Sequence, residues 1–255
     1  MVQYYQLISY SYLLLFITNY FIRIYTIMPL FTSLPTNWNI TETEAVALQE
    51  AYATKVIATD NFLQPVKYIG GIDVAYAQHT DKMVAAVAII EAATLQLVEV
   101  VTAETSTQFP YIPTLFSFRE IPPIAKVFEK LSLIPDIFIC DGHGQAHPRQ
   151  FGLACHLGLW YDVPTIGCGK SYLAGSYVAS DLAQERGSFV PLRNEKGQEI
   201  GRALRTQNGI NPLFVSVGHK ISLTTACEWI LRLSPQYRQP EPIRHADHAV
   251  RSFAI

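Results

Sequence analysis

In Asp136-Ile137-Phe138-Ile139-Cys140-Asp141-Gly142-His143-Gly144-Gln145-Ala146-His147-Pro148 an apolar run closes on an acid, Asp141, at the start of a glycine-rich turn. A strand that ends this way holds the carboxylate rigidly at a sheet edge, and the glycines let a substrate backbone come close. A second acid, Asp73, interrupts the otherwise apolar stretch from Tyr68 to Tyr76. An isolated charge is costly to bury, so an acid in such a run needs a cation or a hydrogen-bond network beside it. Either aspartate alone reads equally well as part of a capped turn. Two such strands, with Glu120 on a helix between them, favour chemistry. Asp73, Glu120, Asp141 and His219 come from four separated places, each at a strand or helix end that a mixed sheet could bring to one edge. Hard oxygen donors without cysteine suit Mg²⁺, with Mn²⁺ as an alternative, held by carboxylates together with substrate phosphate and water. The chemistry this predicts is phosphodiester cleavage.

The elements that must position these groups can be read from pattern. Thr41-Glu42-Thr43-Glu44 matches a capping box and opens a helix expected to run to about Thr59, with Ala45, Leu48, Tyr52 and Val56 toward the core. Strand-like runs follow at about 68–76, 83–91 and 95–105, joined by connections short enough for antiparallel hairpins. Pro110-Tyr111-Ile112-Pro113 is a rigid turn, and a helix is expected at about 118–131. A buried strand at 137–140, a helix at 151–159 and a strand at 165–168 complete an alternating unit. Residues 173–211 read as a polar loop with a turn at Gly197, followed by a strand at 213–218, a Ser222-capped helix at 223–233 and an extended tail from Pro235. The expected fold is α/β, a mixed sheet covered by helices in a single domain.

At 255 residues and 49% hydrophobic content, the chain can bury one substantial core. Its net charge of -2 exerts no global pull on polyanions, so a nucleic-acid contact must rest on a local patch. Basic residues gather at Arg186, Arg193, Lys196, Arg202 and Arg205, and again at Arg232, Arg238 and Arg244, where solvated loop charge is the plainer reading for each. Cys140, Cys155, Cys168 and Cys227 form no zinc-ligand spacing and read as reduced thiols of a cytosolic protein. Residues 1–40 form an apolar extension and linker. The stretch from Leu7 to Ile27 is long enough to cross a bilayer, yet it lacks the basic flank and cleavage site of a signal peptide. A membrane anchor and translated upstream sequence before a true start at Met28 are the two readings, and the second is favoured, with residues 41–255 as the working domain.

The motifs Gly71-Ile72-Asp73-Val74, Pro110-Tyr111-Ile112-Pro113, Phe118-Arg119-Glu120, Asp141 to Pro148, Pro164-Thr165-Ile166-Gly167-Cys168-Gly169-Lys170 and Asn211 to His219 occur in one order. In that order they closely resemble endonuclease V, a deoxyinosine 3′ endonuclease family with a ribonuclease-H-like fold, over roughly residues 41–244. The resemblance implies cleavage of the second phosphodiester bond 3′ to a deaminated adenine in DNA, leaving 3′-hydroxyl and 5′-phosphate ends. It implies Asp73, Glu120 and Asp141 as metal ligands, His219 as a ligand through water or a proton handler, and Lys170 with its ammonium on the reacting phosphate or the attacking water. Ordinary surface lysine is the plainer alternative for Lys170, and ordering of its loop is the preferred role for His147.

Hypoxanthine must leave the base stack to be read. Tyr111, fixed between prolines, fits a wedge, with a core tyrosine as the alternative. Phe116 could stack on the flipped base, and the resemblance points to backbone groups near Gly142, Gly152 and Leu153 for its recognition. Ser171-Tyr172 stands where many relatives carry another basic residue, and Thr114 where a glycine is common. The expected partner is DNA containing deoxyinosine, with inosine RNA as an alternative substrate, and the expected form is a cytoplasmic monomer without a stable protein partner. A silent binder of inosine-containing nucleic acid is disfavoured, because three acids facing a polyanion have no use without a cation.

Overall fold

The computed structural model describes residues 40–77, 82–106 and 109–251. The apolar extension expected at the N-terminus lies outside them, apart from Ile40. Helix α1 (Glu42–Ala53) starts where the capping box places it: the Thr41 hydroxyl accepts from the Glu44 N–H, and the Glu44 carboxylate accepts from the Thr41 N–H at 2.7 Å. It ends six residues before the expected Thr59. Beyond it Ile57 is drawn into tertiary hydrogen bonds, its carbonyl to the Lys220 N–H at 2.7 Å and its N–H to the His219 ring at 3.3 Å. Of the four residues expected inward, Ala45 and Tyr52 are buried, while Leu48 and Val56 are half-buried against the core.

Strands β1 (Tyr68–Tyr76), β2 (Lys82–Glu91), β3 (Leu97–Ser106), β4 (Ile137–Cys140), β5 (Thr165–Gly169), β6 (Phe189–Arg193), β7 (Glu199–Leu204) and β8 (Leu213–His219) form one sheet in the order β3-β2-β1-β4-β5-β8-β7-β6. The central trio β1, β4 and β5 is parallel and every other pair is antiparallel. Helices α2 (Phe116–Phe128), α3 (Leu153–Tyr161), α4 (Leu223–Arg232) and α5 (Glu241–Arg251) cover it. In β4, alternate residues feed opposite cores, as a strand buried on both faces must. Phe138 packs with Ile121, Ile124 and Leu157 on one face; Ile137 and Ile139 pack with Ile230 and Ile243 on the other.

Two expectations are corrected. The polar loop expected at 173–211 contains the hairpin β6-β7, which extends the sheet to its edge and turns at Gly197, where φ is 77°. Pro191 hid it from pattern reading, yet a proline is tolerated in an edge strand because one side needs no donor. The tail expected to be extended from Pro235 instead forms α5, whose Ile243, Ala246 and Val250 are buried against the sheet. That docking explains a glycine in β1: a Cβ on Gly71 would lie 2.2 Å from the Pro242 carbonyl carbon.

Candidate active site

Because β1, β4 and β5 run parallel, their C-terminal ends share one edge. Ile72 pairs with Cys140 and Cys140 with Gly167, so Asp73, within β1 where its pairing with β4 ends, and Asp141, just past β4, sit side by side, and Lys170 follows directly after β5. Lys170 Nζ lies 2.6 Å from Asp141 Oδ2. Glu120 projects from the second turn of α2, its Oε1 accepting from the Tyr76 hydroxyl at 2.6 Å. Tyr76 is the last residue of β1, so one strand supplies both an acid and the partner of another.

The electrostatics follow from crowding acids at a partly buried edge. Burial, then the charge of Asp141, raises the Asp73 pKa; burial likewise raises that of Asp141 against the opposing pull of Lys170. Glu120 is pushed up to about 7 by burial, with its Tyr76 hydrogen bond working the other way. Burial works against the Lys170 ammonium, but the Asp141 hydrogen bond and the charges of Asp141, Asp73 and Asp247 outweigh it and hold its pKa above the ordinary value. Burial and the Glu120 charge keep the Tyr76 phenol protonated, so it has a proton to donate to the Glu120 carboxylate.

A cavity of about 190 Å³ opens beside the acids and is lined by Phe116, Gly142, Gly152 and Leu153 together with Glu120, Asp141 and His143. The four residues expected to read a base are thus brought together. Gly152 is needed for that closeness, since a Cβ there would lie 2.3 Å from the His143 carbonyl oxygen. Tyr111 is 65% exposed, which excludes the core alternative, and its ring rests on Phe116 at 4.9 Å and edge-on to Tyr76 at 6.4 Å. Thr114, two residues after Ile112, sits at φ 71°, the conformation a glycine would adopt freely. Its carbonyl is held by Gln49 at 3.0 Å and His147 at 2.8 Å, and its hydroxyl accepts from Arg149 at 2.6 Å. His147 therefore orders this loop.

His219 does not join the site. β8 runs antiparallel to β5, so His219 pairs with Thr165, at the opposite end of the sheet from Lys170. There its Nε2 lies 3.5 Å from Asp162 Oδ1. Its position after an apolar strand suggested the catalytic edge, but direction decides which edge a strand end reaches.

A residue missed in the sequence takes part instead. Asp247, on α5, lies 3.7 Å from Lys170 Nζ and its charge acts on Asp73 and Asp141. The signal available was the spacing of Ile243, Ala246 and Val250, which marks a helix with one buried face. The basic clusters prove largely structural. Arg238 donates to the carbonyls of Lys170, Asn211 and Pro212, Arg186 to that of Leu231, and Arg205 to those of Ala183 and Ile210.

Among the described residues, no group of three or more His, Cys, Asp or Glu side chains is gathered closely enough to enclose a metal ion unaided. The donor chemistry nevertheless fits a hard cation: neighbouring carboxylates whose pKa values are raised chiefly by burial, and by the negative charges crowded at this edge, would be relieved by one. Mg²⁺ characteristically takes one or two carboxylates and completes its shell with water and substrate phosphate.

The family model for endonuclease V matches residues 50–248. An endonuclease V of Trichormus variabilis is 46% identical over 213 residues, which is 84% of this chain and 95% of that protein. The solved endonuclease V of Streptomyces avermitilis is 44% identical with a TM-score of 0.80, over 86% of this chain and 96% of that one. The endonuclease V of Ciona intestinalis, solved with a 24mer DNA containing an inosine followed by a ribo-adenosine, is 29% identical with a TM-score of 0.73, over 83% of this chain and 96% of that one.

Proposed function

The chain belongs to the endonuclease V family, and on that premise we propose that it cuts DNA at the second phosphodiester bond 3′ to deoxyinosine, in repair of deaminated adenine. The observation that carries this reading is the adjacency of a base-sized cavity and an acidic edge with one lysine: Phe116, Gly142, Gly152 and Leu153 on one side, Asp73, Glu120, Asp141 and Lys170 on the other.

The residues divide the work. Tyr111, exposed and braced by prolines, enters the stack where the base leaves it, and Phe116 and the backbone around Gly142, Gly152 and Leu153 receive the flipped hypoxanthine. Asp73, Glu120 and Asp141 would hold Mg²⁺ or Mn²⁺, and Asp247 adds negative charge to the same edge. The bound cation supplies charge neutralisation at the scissile phosphate and acidifies a water. Lys170, with its ammonium 2.6 Å from Asp141, would place positive charge beside the scissile phosphate, where negative charge develops.

Inosine in RNA is a second reading, favoured by one observation: the Ciona intestinalis relative was solved on a strand whose inosine is followed by a ribo-adenosine. The experiment that tests both is incubation with matched deoxyinosine DNA, inosine RNA and adenosine controls in Mg²⁺. Cutting of the deoxyinosine strand supports the DNA enzyme, exclusive cutting of RNA replaces it with the ribonuclease, and binding without cutting removes the enzymatic reading.

A further inference from the structure

Tyr76 makes contacts on both sides of the divide between base recognition and cleavage. Its hydroxyl donates to Glu120 Oε1 at 2.6 Å, its ring meets the edge of Tyr111 at 6.4 Å, and the Arg119 guanidinium lies over it at 5.3 Å. Arg119 is itself anchored, donating to the Phe109 carbonyl at 2.6 Å. Tyr111 in turn stacks on Phe116, which lines the cavity and opens the helix that carries Glu120. Among the described residues, Tyr76 is thus the one side chain that touches Tyr111 with its ring and Glu120 with its hydroxyl.

We propose that Tyr76 is a positioning residue with two separable parts, a hydroxyl that fixes the Glu120 carboxylate and a ring that braces Tyr111. The proposal rests on the reading of Glu120 as a cation-holding acid and Tyr111 as the wedge. A tyrosine at the end of β1 has no need of either contact to complete the core, since it is only partly buried and its place in the sheet is already set by pairing with Met83 of β2. Groups that orient a ligating carboxylate act on cation affinity, and ring contacts act on how well an aromatic is preorganised.

The test separates the two parts with Tyr76→Phe and Tyr76→Leu, reading Mn²⁺ binding to the free protein by electron paramagnetic resonance and deoxyinosine-over-deoxyadenosine binding in Ca²⁺. Tyr76→Phe should weaken Mn²⁺ binding by roughly tenfold and leave the binding ratio unchanged. Tyr76→Leu should weaken Mn²⁺ equally and also lower the ratio, by roughly fivefold. Thermal midpoints measured alongside confirm that both variants are folded. Parent-like Mn²⁺ binding by Tyr76→Phe, or an unchanged ratio in Tyr76→Leu, overturns the inference. Failure of the parent itself to prefer deoxyinosine would instead overturn the functional reading, so the two failures are told apart by the unmutated protein.

Discussion

Asp73, inside β1, and Asp141, just past the end of β4, each stand one residue beyond the Ile72 and Cys140 pair; burial raises both carboxyl pKa values, and the Asp141 charge raises that of Asp73 further. A fold that sets two acids side by side without opposing charge enough for both is less stable for it, and such an arrangement is the mark of a site rather than of a core.

Replacing either acid with its amide should therefore separate activity from stability. Asp73→Asn and Asp141→Asn should each lower cleavage by about a hundredfold or more, the scale on which one preorganised charge-stabilising group acts. Their thermal midpoints in the absence of divalent ions should equal or exceed the parent's, because one of two like charges is gone. Turnover within tenfold of the parent would remove these residues from the mechanism.

Exchange of Mg²⁺ for Ca²⁺ should keep selective binding of deoxyinosine DNA and suppress cutting, since the larger ion takes looser geometry and more ligands. Gel-shift and cleavage assays on one oligonucleotide, run in each ion, make the comparison; equal rates in both would contradict the assigned role of the carboxylates.

Tyr111→Ala should reduce discrimination for deoxyinosine by about 1–3 kcal/mol, the range for loss of one aromatic stacked on a base. The thermal midpoint should hardly move, because the ring is mostly exposed and gives up little buried area. A midpoint that falls while discrimination stays intact would show that the ring serves packing.

His219→Asn should behave in the opposite way, retaining cleavage while losing stability. His219 is buried, accepts the Ile57 N–H at 3.3 Å and pairs with Asp162, all at the sheet end remote from Lys170. A loss of turnover in a fully folded variant would return it to the site.

Buried histidine should weaken the fold on the acid side. Burial depresses the His156 pKa to about 3, while the unfolded chain protonates near the ordinary 6.5. Between those values the unfolded state binds more protons, so stability rises with pH and is lost as pH falls from 6.5. At pH 5 the loss is about 2 kcal/mol, and it depends little on how far below 4 the folded value lies. Because the raised carboxyls of Asp73 and Glu120 act in the opposite direction over this range, the histidine is read by difference: on going from pH 7.5 to pH 5 in urea unfolding, His156→Phe should change less unfavourably than the parent by about 2 kcal/mol. Equal changes would assign the acid sensitivity to other groups.

Much of this was legible in the sequence because the signals were local. Asp141 follows an apolar run and marks the end of β4, while Asp73 interrupts a run that continues as β1; Thr41 and Glu44 announce the first helix. Phe116, Gly142, Gly152 and Leu153 were placed by motif, and the fold then gathered them around one cavity. What stayed hidden depended on direction and on long-range docking. Nothing near His219 tells which way β8 runs, and the antiparallel pairing with β5 moves that residue to the far edge. Asp247 was lost with its helix, since α5 is polar and short and is held by burial of Ile243, Ala246 and Val250 on a strand far away in the chain. Pro191 argued against a strand that exists only because it is the last in its sheet.

The central claim is tested most directly by mapping the cut on an end-labelled duplex carrying a single deoxyinosine, in Mg²⁺, with Asp141→Asn as the control. One product is expected, nicked at the second phosphodiester on the 3′ side of the deoxyinosine and ending in a 3′-hydroxyl and 5′-phosphate, formed about a hundredfold or more slowly by the control and not at all from the matched deoxyadenosine duplex. Cutting at the lesion's own glycosidic or adjacent bond, or equal cutting of the deoxyadenosine duplex, would contradict it.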